Sequence, residues 1–315
     1  MKKKQKILVL GADGFLGSNL VFALLKDKKN EVRALDLFKD GVSQNLESAR
    51  KKIEIFQGNF LNKNDLRKAL QGIDYVFHFV SFTTPGSSMS DPLIDIDTNL
   101  KGTINLLEEC VKAKVKKIIY PSSGGAIYGD QKKEKYSEED SLYPISPYAI
   151  SKLAIEKYLE YYRIFRGLDY LVARISNPYG PHQNVVGNQG IIPIFLNLIK
   201  NSQPISIFGD GKNIRDYIFV DDAIDNLLKL SFGSKNKYRI YNIGSGEGIS
   251  INELVEAMKK ITQKRIKTNG LPQRKADIRS IVLDISRIQQ EFDYSPKVNL
   301  EKGIKQTWEW VKKID

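Results

Sequence analysis

A tyrosine and a lysine placed four positions apart are the side chains best suited to chemistry. Tyr148 and Lys152 occur in the run Tyr-Ala-Ile-Ser-Lys, and on a helix this spacing places both on one face, about one turn apart. A free phenol, with a pKa of about 10, is a poor base at neutral pH. A neighbouring ammonium favours the phenolate and lowers that pKa. The pair therefore predicts a base that takes the proton of an alcohol.

Two serines end the strand-like run that precedes this pair. Ser122 and Ser123 are followed by Gly124 and Gly125. A serine hydroxyl in this loop can hydrogen-bond the alcohol oxygen from which Tyr148 would take the proton. Such a contact would align the oxygen with the base.

A glycine-rich turn lies near the start of the chain. The segment 11–17 reads GADGFLG, follows an apolar run and precedes an amphipathic stretch. Glycines let the backbone turn sharply and approach a pyrophosphate, and the start of the following helix supplies free N–H groups. In this strand–turn–helix setting the pattern predicts a dinucleotide site.

The end of the second strand-like run indicates which dinucleotide binds. Asp36 lies about 20 residues after the glycine turn, where a carboxylate accepts both ribose hydroxyls of NAD. The same carboxylate would repel the 2′-phosphate of NADP. Arg33, on the same run, could in principle help to bind NADP, but Asp36 holds the terminal position. We therefore expect tightly bound NAD.

Short β-branched runs alternate with amphipathic stretches up to about residue 175. This rhythm predicts a parallel sheet covered on both faces by helices, that is, an α/β protein with a doubly wound sheet. The predicted strands are residues 6–10, 31–36, 52–56, 74–80, 117–122 and 169–175, and the amphipathic stretches are 16–26, 62–70, 98–113 and 147–166.

The alternation of strand-like runs and amphipathic stretches ends after Asn177, where turn-rich segments separate shorter elements. We expect a smaller second domain there, with the segments 216–230 and 238–245 returning to the first sheet. The predicted division is therefore residues 1–176 plus 216–244 for the dinucleotide-binding domain, and residues 177–215 plus 245–315 for the second domain.

Composition excludes several classes of protein. The 315 residues are 41% hydrophobic and 27% charged, which is ordinary for a globular chain. The net charge of +12 raises the question of nucleic acid, but the lysines are spread along the chain, so we expect no nucleic-acid partner. No apolar run is long enough to span a membrane. With Cys110 as its one cysteine and two histidines, the chain predicts no disulfide framework, no metal site and a cytoplasmic location.

Together these motifs resemble the extended short-chain dehydrogenase/reductases, in particular the NAD-dependent sugar-nucleotide epimerase/dehydratase family and its UDP-hexose 4-epimerases. The resemblance covers nearly the whole chain and implies a Rossmann-like sheet with a smaller, mixed α/β domain for the nucleotide sugar. Besides the glycine turn, Asp36, the serine loop and the Tyr–Lys pair, it is carried by His78-Phe79-Val80, Asn99, Ser176-Asn177-Pro178-Tyr179-Gly180, Arg215-Asp216-Tyr217 and the segment 272–284.

The resemblance implies a role for each of these positions. The catalytic residues would be Tyr148, Lys152 and Ser123, or Ser122 in place of Ser123. The guanidinium groups of Arg215 and Arg274 would bind the diphosphate of the substrate. The implied cofactor-binding residues are Gly11, Gly14, Phe15, Leu16, Gly17, Asp36, Asn59, Phe60, Phe79, Val80, Asn99, Tyr148 and Lys152. The implied substrate-binding residues are Ser123, Gly124, Tyr148, Asn177, Ile191, Ile207, Phe208, Arg215, Arg274 and Asp277.

The sequence departs from the family pattern at several points. Asn59 stands where an aspartate is common, but its amide oxygen can still accept from adenine. Gly124 occupies a loop position that is often serine, so we favour Ser123 for the hydroxyl. Val80 replaces a common alanine. The loop lacks the Asp-Glu pair that sugar-nucleotide 4,6-dehydratases use, which disfavours dehydration. His182 could face the sugar, although a lone histidine in a turn more often lies at the surface.

With dehydration disfavoured, the reaction that the resemblance implies is hydride transfer between NAD and C4 of a sugar nucleotide. If the 4-keto sugar turns over in the site and is reduced on its other face, the enzyme is a 4-epimerase, and the glycine pair would give the sugar room. If the keto sugar leaves, the enzyme is a 4-dehydrogenase of an NDP-hexose or NDP-heptose. A chain of another class, a non-catalytic dinucleotide-binding regulator, typically loses the tyrosine or the lysine, and this chain keeps both.

Two predicted helices, 93–113 and 147–166, are apolar on more than one face. In relatives, these helices pair with their copies in a four-helix bundle. We therefore expect a homodimer with a two-fold contact of that kind.

Overall fold

The computed structural model describes residues 4–38, 43–187, 189–233, 236–273 and 278–314. The chain separates into two compact units, each assembled from segments distant in sequence. The first unit is Met1–Ser122, Ser146–Ala173 and Leu230–Ile240; the second is Ser123–Ile145, Arg174–Lys229 and Tyr241–Asp315. The predicted domain boundaries differ from these segments and stay a prediction.

The larger sheet has seven strands in the order β10-β6-β5-β4-β1-β2-β3. Pairing is parallel between β1 and β2, β1 and β4, β2 and β3, and β4 and β5. The chain therefore starts in the middle of the sheet and reverses direction there, which is the doubly wound order that the sequence predicts. The strands are β1 Gln5–Leu10, β2 Asn30–Asp36, β3 Glu54–Gln57, β4 Tyr75–His78, β5 Lys117–Ser123, β6 Asp169–Ile175 and, after further elements, β10 Ile240–Ile243.

Helices connect these strands. They are α1 Phe15–Leu24, α2 Lys63–Ala69, α3 Pro92–Ile94, α4 Lys101–Lys112 and α5 Pro147–Arg166. A π-helical segment, Asp95–Leu100, joins α3 to α4, so that one continuous helical stretch has a locally widened turn. The apolar faces of α2, α4 and α5 pack with the central strands in one buried cluster.

Local signals explain where the long helix α5 begins and ends. Ser146 precedes it, and its hydroxyl accepts a hydrogen bond from the Ala149 N–H at 3.3 Å, while Pro147 occupies the first turn. The helix stops at Gly167, whose φ of 70° is the left-handed conformation that glycine adopts without strain. These caps fix the helix that carries Tyr148 and Lys152.

The remaining strands form two small sheets. One has the order β11-β9-β13, with β7 also paired to β9, and the other pairs β12 with β8. The elements are β7 Asn177–Tyr179, α6 Ile191–Lys200, β8 Ile205–Phe208, β9 Ile214–Phe219, α7 Val220–Phe232, β11 Gly248–Ser250, α8 Ile251–Thr262, β12 Thr268–Leu271, β13 Ser280–Ile281, α9 Ser286–Phe292 and α10 Leu300–Val311.

The structure confirms the α/β fold with its doubly wound sheet and corrects one placement. Residues 240–243 join the large sheet as predicted, but the strand predicted within 216–230 is the end of β9 and pairs in the small mixed sheet. The physical reason is that β9 finds partners on both sides there, in β11 and β13, and also pairs with β7. Among the described residues, no helix is long and apolar enough to cross a membrane.

Candidate active site

The glycine turn between β1 and α1 is tightly packed against backbone. Gly11 has a φ of +74°, and a Cβ atom there would lie 3.0 Å from the backbone nitrogen of Val80. A Cβ on Gly17 would lie 2.9 Å from the Ala12 Cα and closer still to the Gly11 carbonyl oxygen. Only glycine fits either position, so the turn stays narrow and its backbone stays accessible.

The start of α1 keeps its N–H groups available. Gly14 is the residue before the helix, and none of the described side chains caps it; no acidic residue occupies the first turn. Phe15 and Leu16, the first helical residues, are half-buried. An uncapped helix start beside a narrow glycine turn is the arrangement that binds a pyrophosphate.

Asp36 ends β2 beside this turn. Its carboxylate accepts hydrogen bonds from the Asp13 N–H at 3.0 Å and from the Leu37 N–H at 2.8 Å. Burial raises its pKa, against the two backbone donors that lower it. The carboxylate is therefore held at the glycine turn, where the ribose of a dinucleotide would lie.

Arg33 points away from this role. Its guanidinium donates to the carbonyl oxygen of Ala69 at 2.6 Å and to that of Gln71 at 3.2 Å, and it forms a 2.9 Å ion pair with Glu54. The side chain thus ties β2 to β3 and to the end of α2. Arg33 is therefore engaged by protein groups, while Asp36 holds the end of the strand.

The other predicted cofactor residues line the same unit. Phe79 N–H donates to the Leu10 carbonyl at 2.9 Å, so the segment with Val80 runs beside the glycine turn. Asn59 accepts from the Leu61 N–H at 2.9 Å through its amide oxygen. Phe60 is buried and stacks on His78 with ring centroids 4.9 Å apart. These residues therefore lie in the same unit as the glycine turn, and their contacts with a cofactor stay a prediction.

The side chain of Asn99 is engaged in hydrogen bonds within the protein. Its side-chain nitrogen donates to Thr83 Oγ1 at 3.0 Å and to Asp95 Oδ1 at 2.8 Å, and its oxygen accepts from the Phe82 N–H at 3.0 Å. Both ends of the amide are therefore used within the protein. Its cofactor contact stays a prediction.

Tyr148 and Lys152 share the inward face of α5. Both are 9% exposed, and Lys152 Nζ lies 5.6 Å from the centre of the Tyr148 ring and 4.6 Å from that of Tyr120. Lys152 also donates to the Pro121 carbonyl at 3.2 Å. Burial lowers the pKa of Lys152 to about 8, although the carboxylates of Glu156 and Asp95 oppose the change. An ammonium in this position can stabilise negative charge on a phenol oxygen and can donate a hydrogen bond to the ribose of a bound dinucleotide.

Ser122 is buried, and its hydroxyl has no hydrogen-bond partner among the described residues. Ser123 is half-buried, and its carbonyl accepts from Ile127 N–H at 3.3 Å. The Ser122 hydroxyl is thus available to an added ligand. Our preference for Ser123 stays a prediction.

The glycines after these serines differ in the room they offer. A Cβ on Gly124 would lie 2.6 Å from Leu283 Cδ1 and 3.0 Å from the Arg174 carbonyl, whereas a Cβ on Gly125 would meet the Asn177 amide at an ordinary 3.6 Å. Leu283 therefore fills the space that a serine at position 124 would need. A Cβ would therefore be crowded at Gly124 but not at Gly125, and the room expected for a sugar beside this pair stays a prediction.

The predicted substrate residues that the structure describes lie in the second unit, apart from Tyr148. Asn177 donates to the Asp216 carbonyl at 3.0 Å, and Arg215, on β9, donates to its neighbour Ile214 at 2.8 Å. Ile191 begins α6, and Ile207 and Phe208 end β8; all three are half-buried. Arg274 and Asp277 lie outside the described residues.

Asp216 holds the surroundings of Arg215 in place. Its carboxylate accepts from the backbone and hydroxyl of Ser245 at 2.8 and 2.7 Å, and from the N–H groups of Gly246 and Leu283, both at 3.2 Å. Burial nevertheless raises its pKa. Asp216 thus joins β9 to two neighbouring loops and fixes the strand that carries Arg215.

His182 packs against protein. It has a φ of 68°, and its ring centroid lies 6.2 Å from that of Trp310 on α10. This contact favours a structural role for His182 over the sugar contact that the sequence left open.

Two buried groups near the predicted chemistry were not predicted from the sequence. Asp95 and Glu156 interact electrostatically with Lys152, and both are at most 3% exposed. The signal was available for Glu156, which follows Lys152 by one helical turn on the same face. For Asp95 no local signal exists, because Asp95 and Lys152 lie on different elements and meet only where α5 packs on Asp95–Leu100.

A buried polar network was also missed. The Tyr128 hydroxyl accepts from Arg174 at 3.1 Å and donates to Asn242 at 2.7 Å, and Asn242 donates in turn to the carbonyls of Tyr136 and Asp284 at 2.9 and 3.0 Å. The network fixes the segment that follows the serine loop.

These features fit a dinucleotide. The narrow glycine turn, the uncapped helix start and the carboxylate at the end of β2 belong to one unit and match the pyrophosphate and ribose of NAD. The buried Lys152 and Tyr148 belong to the same unit, as a nicotinamide ribose contact would need.

The chain is similar to known proteins over most of its length. The family model described as "NAD dependent epimerase/dehydratase family" matches residues 7–244. A UDP-glucose 4-epimerase of Mycolicibacterium smegmatis is 34% identical over 311 residues, covering 98% of each chain.

Two solved structures share the fold over almost their whole length. The UDP-glucose 4-epimerase of Thermotoga maritima, solved with UDP-glucose, is 35% identical with a TM-score of 0.91, covering 98% of this chain and 99% of the other. That of Thermus thermophilus, solved with NAD, is 31% identical with a TM-score of 0.91, covering 99% and 100%. The resemblance seen in the sequence is thereby confirmed, and the chain is an enzyme of the NAD-dependent epimerase/dehydratase family.

Proposed function

We propose that this enzyme is a UDP-hexose 4-epimerase, which inverts C4 of the sugar through a 4-keto intermediate. The observation that carries the proposal is the buried Lys152 beside the Tyr148 ring on α5, in the same unit as the glycine turn and Asp36. Its relatives named above are UDP-glucose 4-epimerases, one of them solved with UDP-glucose, which supports a uridine diphosphate and a hexose.

The chain's own groups supply binding and proton transfer. Gly11, Gly14 and Gly17 would hold the pyrophosphate of NAD against the start of α1, and Asp36 would accept its ribose hydroxyls. When bound, NAD supplies the acceptor and donor of hydride. Tyr148 Oη would take the proton of the C4 hydroxyl and later return it.

Two neighbours would assist Tyr148. The Lys152 ammonium stabilises negative charge on the phenolate oxygen and would also hold the nicotinamide ribose. A hydroxyl of Ser123, or of Ser122, would donate to the sugar oxygen and align it. Asn177 and Arg215, with Arg274, would bind the sugar and its diphosphate.

The decisive experiment is turnover of UDP-glucose, UDP-galactose and their N-acetyl forms, with product analysis and a spectrum of the protein. Accumulation of the 4-epimer without added oxidant supports the proposal. A 4-keto sugar that leaves in proportion to reduced cofactor would identify a 4-dehydrogenase instead. If none of these substrates gives either the reduced-nicotinamide band or an epimer, the proposal is wrong.

Variants test the assigned base. Tyr148→Phe keeps the ring and deletes the hydroxyl, so single-turnover reduction of bound NAD should fall about 10²- to 10⁴-fold with the fold intact. Ser123→Ala should lose less, because Ser122 or water can replace the hydroxyl. Tyr158→Phe is the matched control, because this tyrosine lies on α5 and is 38% exposed. If Tyr148→Phe reacts as fast as the control, the base lies elsewhere.

The cofactor is tested separately. Asp36 at the end of β2 and the engagement of Arg33 elsewhere support NAD. Cofactor released by denaturing the purified protein should be mostly NAD and NADH, in near-stoichiometric amount if binding is tight. Mostly NADP(H) would overturn this assignment.

We further propose a homodimer through the α3–α4 stretch and α5. Apolar side chains on these helices are exposed in the single chain: Leu93 64%, Ile96 51%, Ile150 54%, Tyr161 46%, Ile164 55% and Phe165 69%. A second copy would cover them in an isologous contact. Light scattering should give a dimer that Ile164→Glu dissociates. Val186→Glu, which changes a 68% exposed valine outside these helices, should leave it intact. A monomeric wild type would refute the contact.

A further inference from the structure

The π-helical segment before α4 carries a carboxylate that the proposed mechanism does not use. Asp95 is fully buried, at 0% exposure. Its Oδ1 accepts from Thr83 Oγ1 at 2.7 Å and from Asn99 Nδ2 at 2.8 Å, while Oδ2 has no hydrogen-bond partner among the described residues. A buried carboxylate with one unpaired oxygen is costly unless a nearby positive charge compensates it.

Among the described residues, Lys152 is the only buried lysine. Its ammonium interacts electrostatically with Asp95. Helix α5 packs directly on Asp95–Leu100. A second buried carboxylate, Glu156, lies one turn after Lys152 on α5 and interacts with the same ammonium. The two acids therefore come from different elements and act on one base.

The remaining groups around Lys152 do not provide a counter-charge. Tyr120, on β5, is buried and interacts with Tyr148, Glu156 and Asp95, and burial raises its pKa well above the usual range. His78, on β4, also interacts with Lys152, but burial lowers the histidine pKa to about 3, so the ring is neutral. The carbonyl of Pro121 adds one hydrogen bond. Among the described groups that interact with Lys152, Asp95 and Glu156 are the ones whose negative charge favours the ammonium.

We propose that Asp95 is a positioning residue which, together with Glu156, keeps Lys152 charged and fixed beside Tyr148. The inference deepens the proposed function and rests on it for the role of Lys152. Burial pushes the ammonium toward its neutral form, and the two carboxylates oppose that push. Loss of either charge would let Lys152 lose its proton at a lower pH and so remove the charge that activates the phenol.

The test is an NMR titration of Lys152 in protein labelled at the lysine Cε, as purified, with the signal assigned by its loss in Lys152→Arg. Asp95→Asn removes the charge but keeps an oxygen that accepts from Thr83 and Asn99. The midpoint of Lys152 should fall from about 8 by about one pH unit or more. Asp97→Asn is the control, since it makes the same change at an exposed position of the same segment, and it should leave the midpoint in place.

Activity provides the second readout. In Asp95→Asn the alkaline limb of the kcat profile should move to lower pH by the same interval, with KM for the UDP-hexose unchanged. A purely structural role would lower kcat without moving the limb. If Asp95→Asn does not fold, Glu156→Gln should shift the midpoint in the same direction.

The two proposals fail in different ways. An unmoved Lys152 midpoint in the folded Asp95→Asn protein, or in Glu156→Gln where the first variant does not fold, overturns the role of the carboxylates. An equal shift in Asp97→Asn overturns it as well. Absence of turnover by wild type overturns the proposed function alone, because the titration still measures the effect of Asp95 on Lys152.

Discussion

Replacing Gly17 by alanine tests whether the narrow glycine turn is a packing requirement. The added methyl would lie 2.9 Å from both the Ala12 Cα and the Gly11 carbonyl carbon, whereas carbon atoms in contact sit about 3.5–4.0 Å apart. The three nearest atoms all belong to the backbone, so rotation of a side chain cannot relieve these contacts. Either α1 or the turn must therefore move by about 1 Å.

The magnitude follows from two opposing effects. Overpacking of this kind costs about 1–3 kcal/mol and occasionally more, and clashes with fixed backbone belong at the upper end. The higher helix propensity of alanine returns about 0.5–1 kcal/mol. We expect Gly17→Ala to lower the free energy of unfolding by about 2 kcal/mol and to reduce the amount of NAD that copurifies, because the turn no longer closes on the pyrophosphate.

Urea unfolding at a fixed protein concentration measures the first effect, and analysis of released cofactor measures the second. Gly86→Ala is the matched control: this glycine has a φ of −74°, and a Cβ would meet only the Thr84 hydroxyl at 4.0 Å. The control should be neutral or slightly stabilising. If Gly17→Ala unfolds at the same urea concentration as Gly86→Ala and retains its cofactor, the close approach at Gly17 carries no energetic weight.

Three further outcomes follow from buried groups. Burial lowers the His78 pKa from 6.5 to about 3, so between these pH values the unfolded state binds a proton that the folded state does not. As the pH falls through this window, wild type should therefore lose up to about 1.4 kcal/mol of stability per pH unit. Urea titrations should show a smaller loss for His78→Gln. Tyr128→Phe removes the hydroxyl that links Arg174 to Asn242 and should lower the unfolding free energy by about 1–3 kcal/mol, whereas an unchanged urea midpoint would show that the network adds nothing. Burial raises the pKa of the Cys110 thiol, so a thiol reagent should label it only in denaturant, and rapid labelling of the native protein would contradict its burial.

The alternation of apolar strands and amphipathic helices was sufficient to predict the large sheet. The predicted strand 169–175 matches β6, and the predicted helix 147–166 matches α5, because Ser146, Pro147 and Gly167 mark its ends. These are local signals, which depend only on neighbouring residues. The glycine turn and Asp36 were predictable for the same reason, since each follows directly from a strand end.

Features that depend on contacts distant in sequence were not predictable. The pairing of β9 in the small sheet depends on strands that occur far from it in the chain. That Leu283 fills the space at Gly124, and that Arg33 is engaged by Glu54, are equally invisible in a local pattern. The interaction of Asp95 with Lys152 belongs to the same group, since it arises where α5 packs on a segment distant from it in the sequence.

The position of β10 has a consequence for how the chain is made. It is the edge partner of β6 in the large sheet, yet the ribosome synthesises it only after the whole stretch from β7 to α7. Until Ile240–Ile243 emerges, the nascent chain carries β6, in which five of seven residues are apolar or aromatic, as an open edge able to pair with other chains. Long-range pairing of this kind forms slowly, so nascent chains that stall before Ile240 should be the ones that recruit chaperones or aggregate.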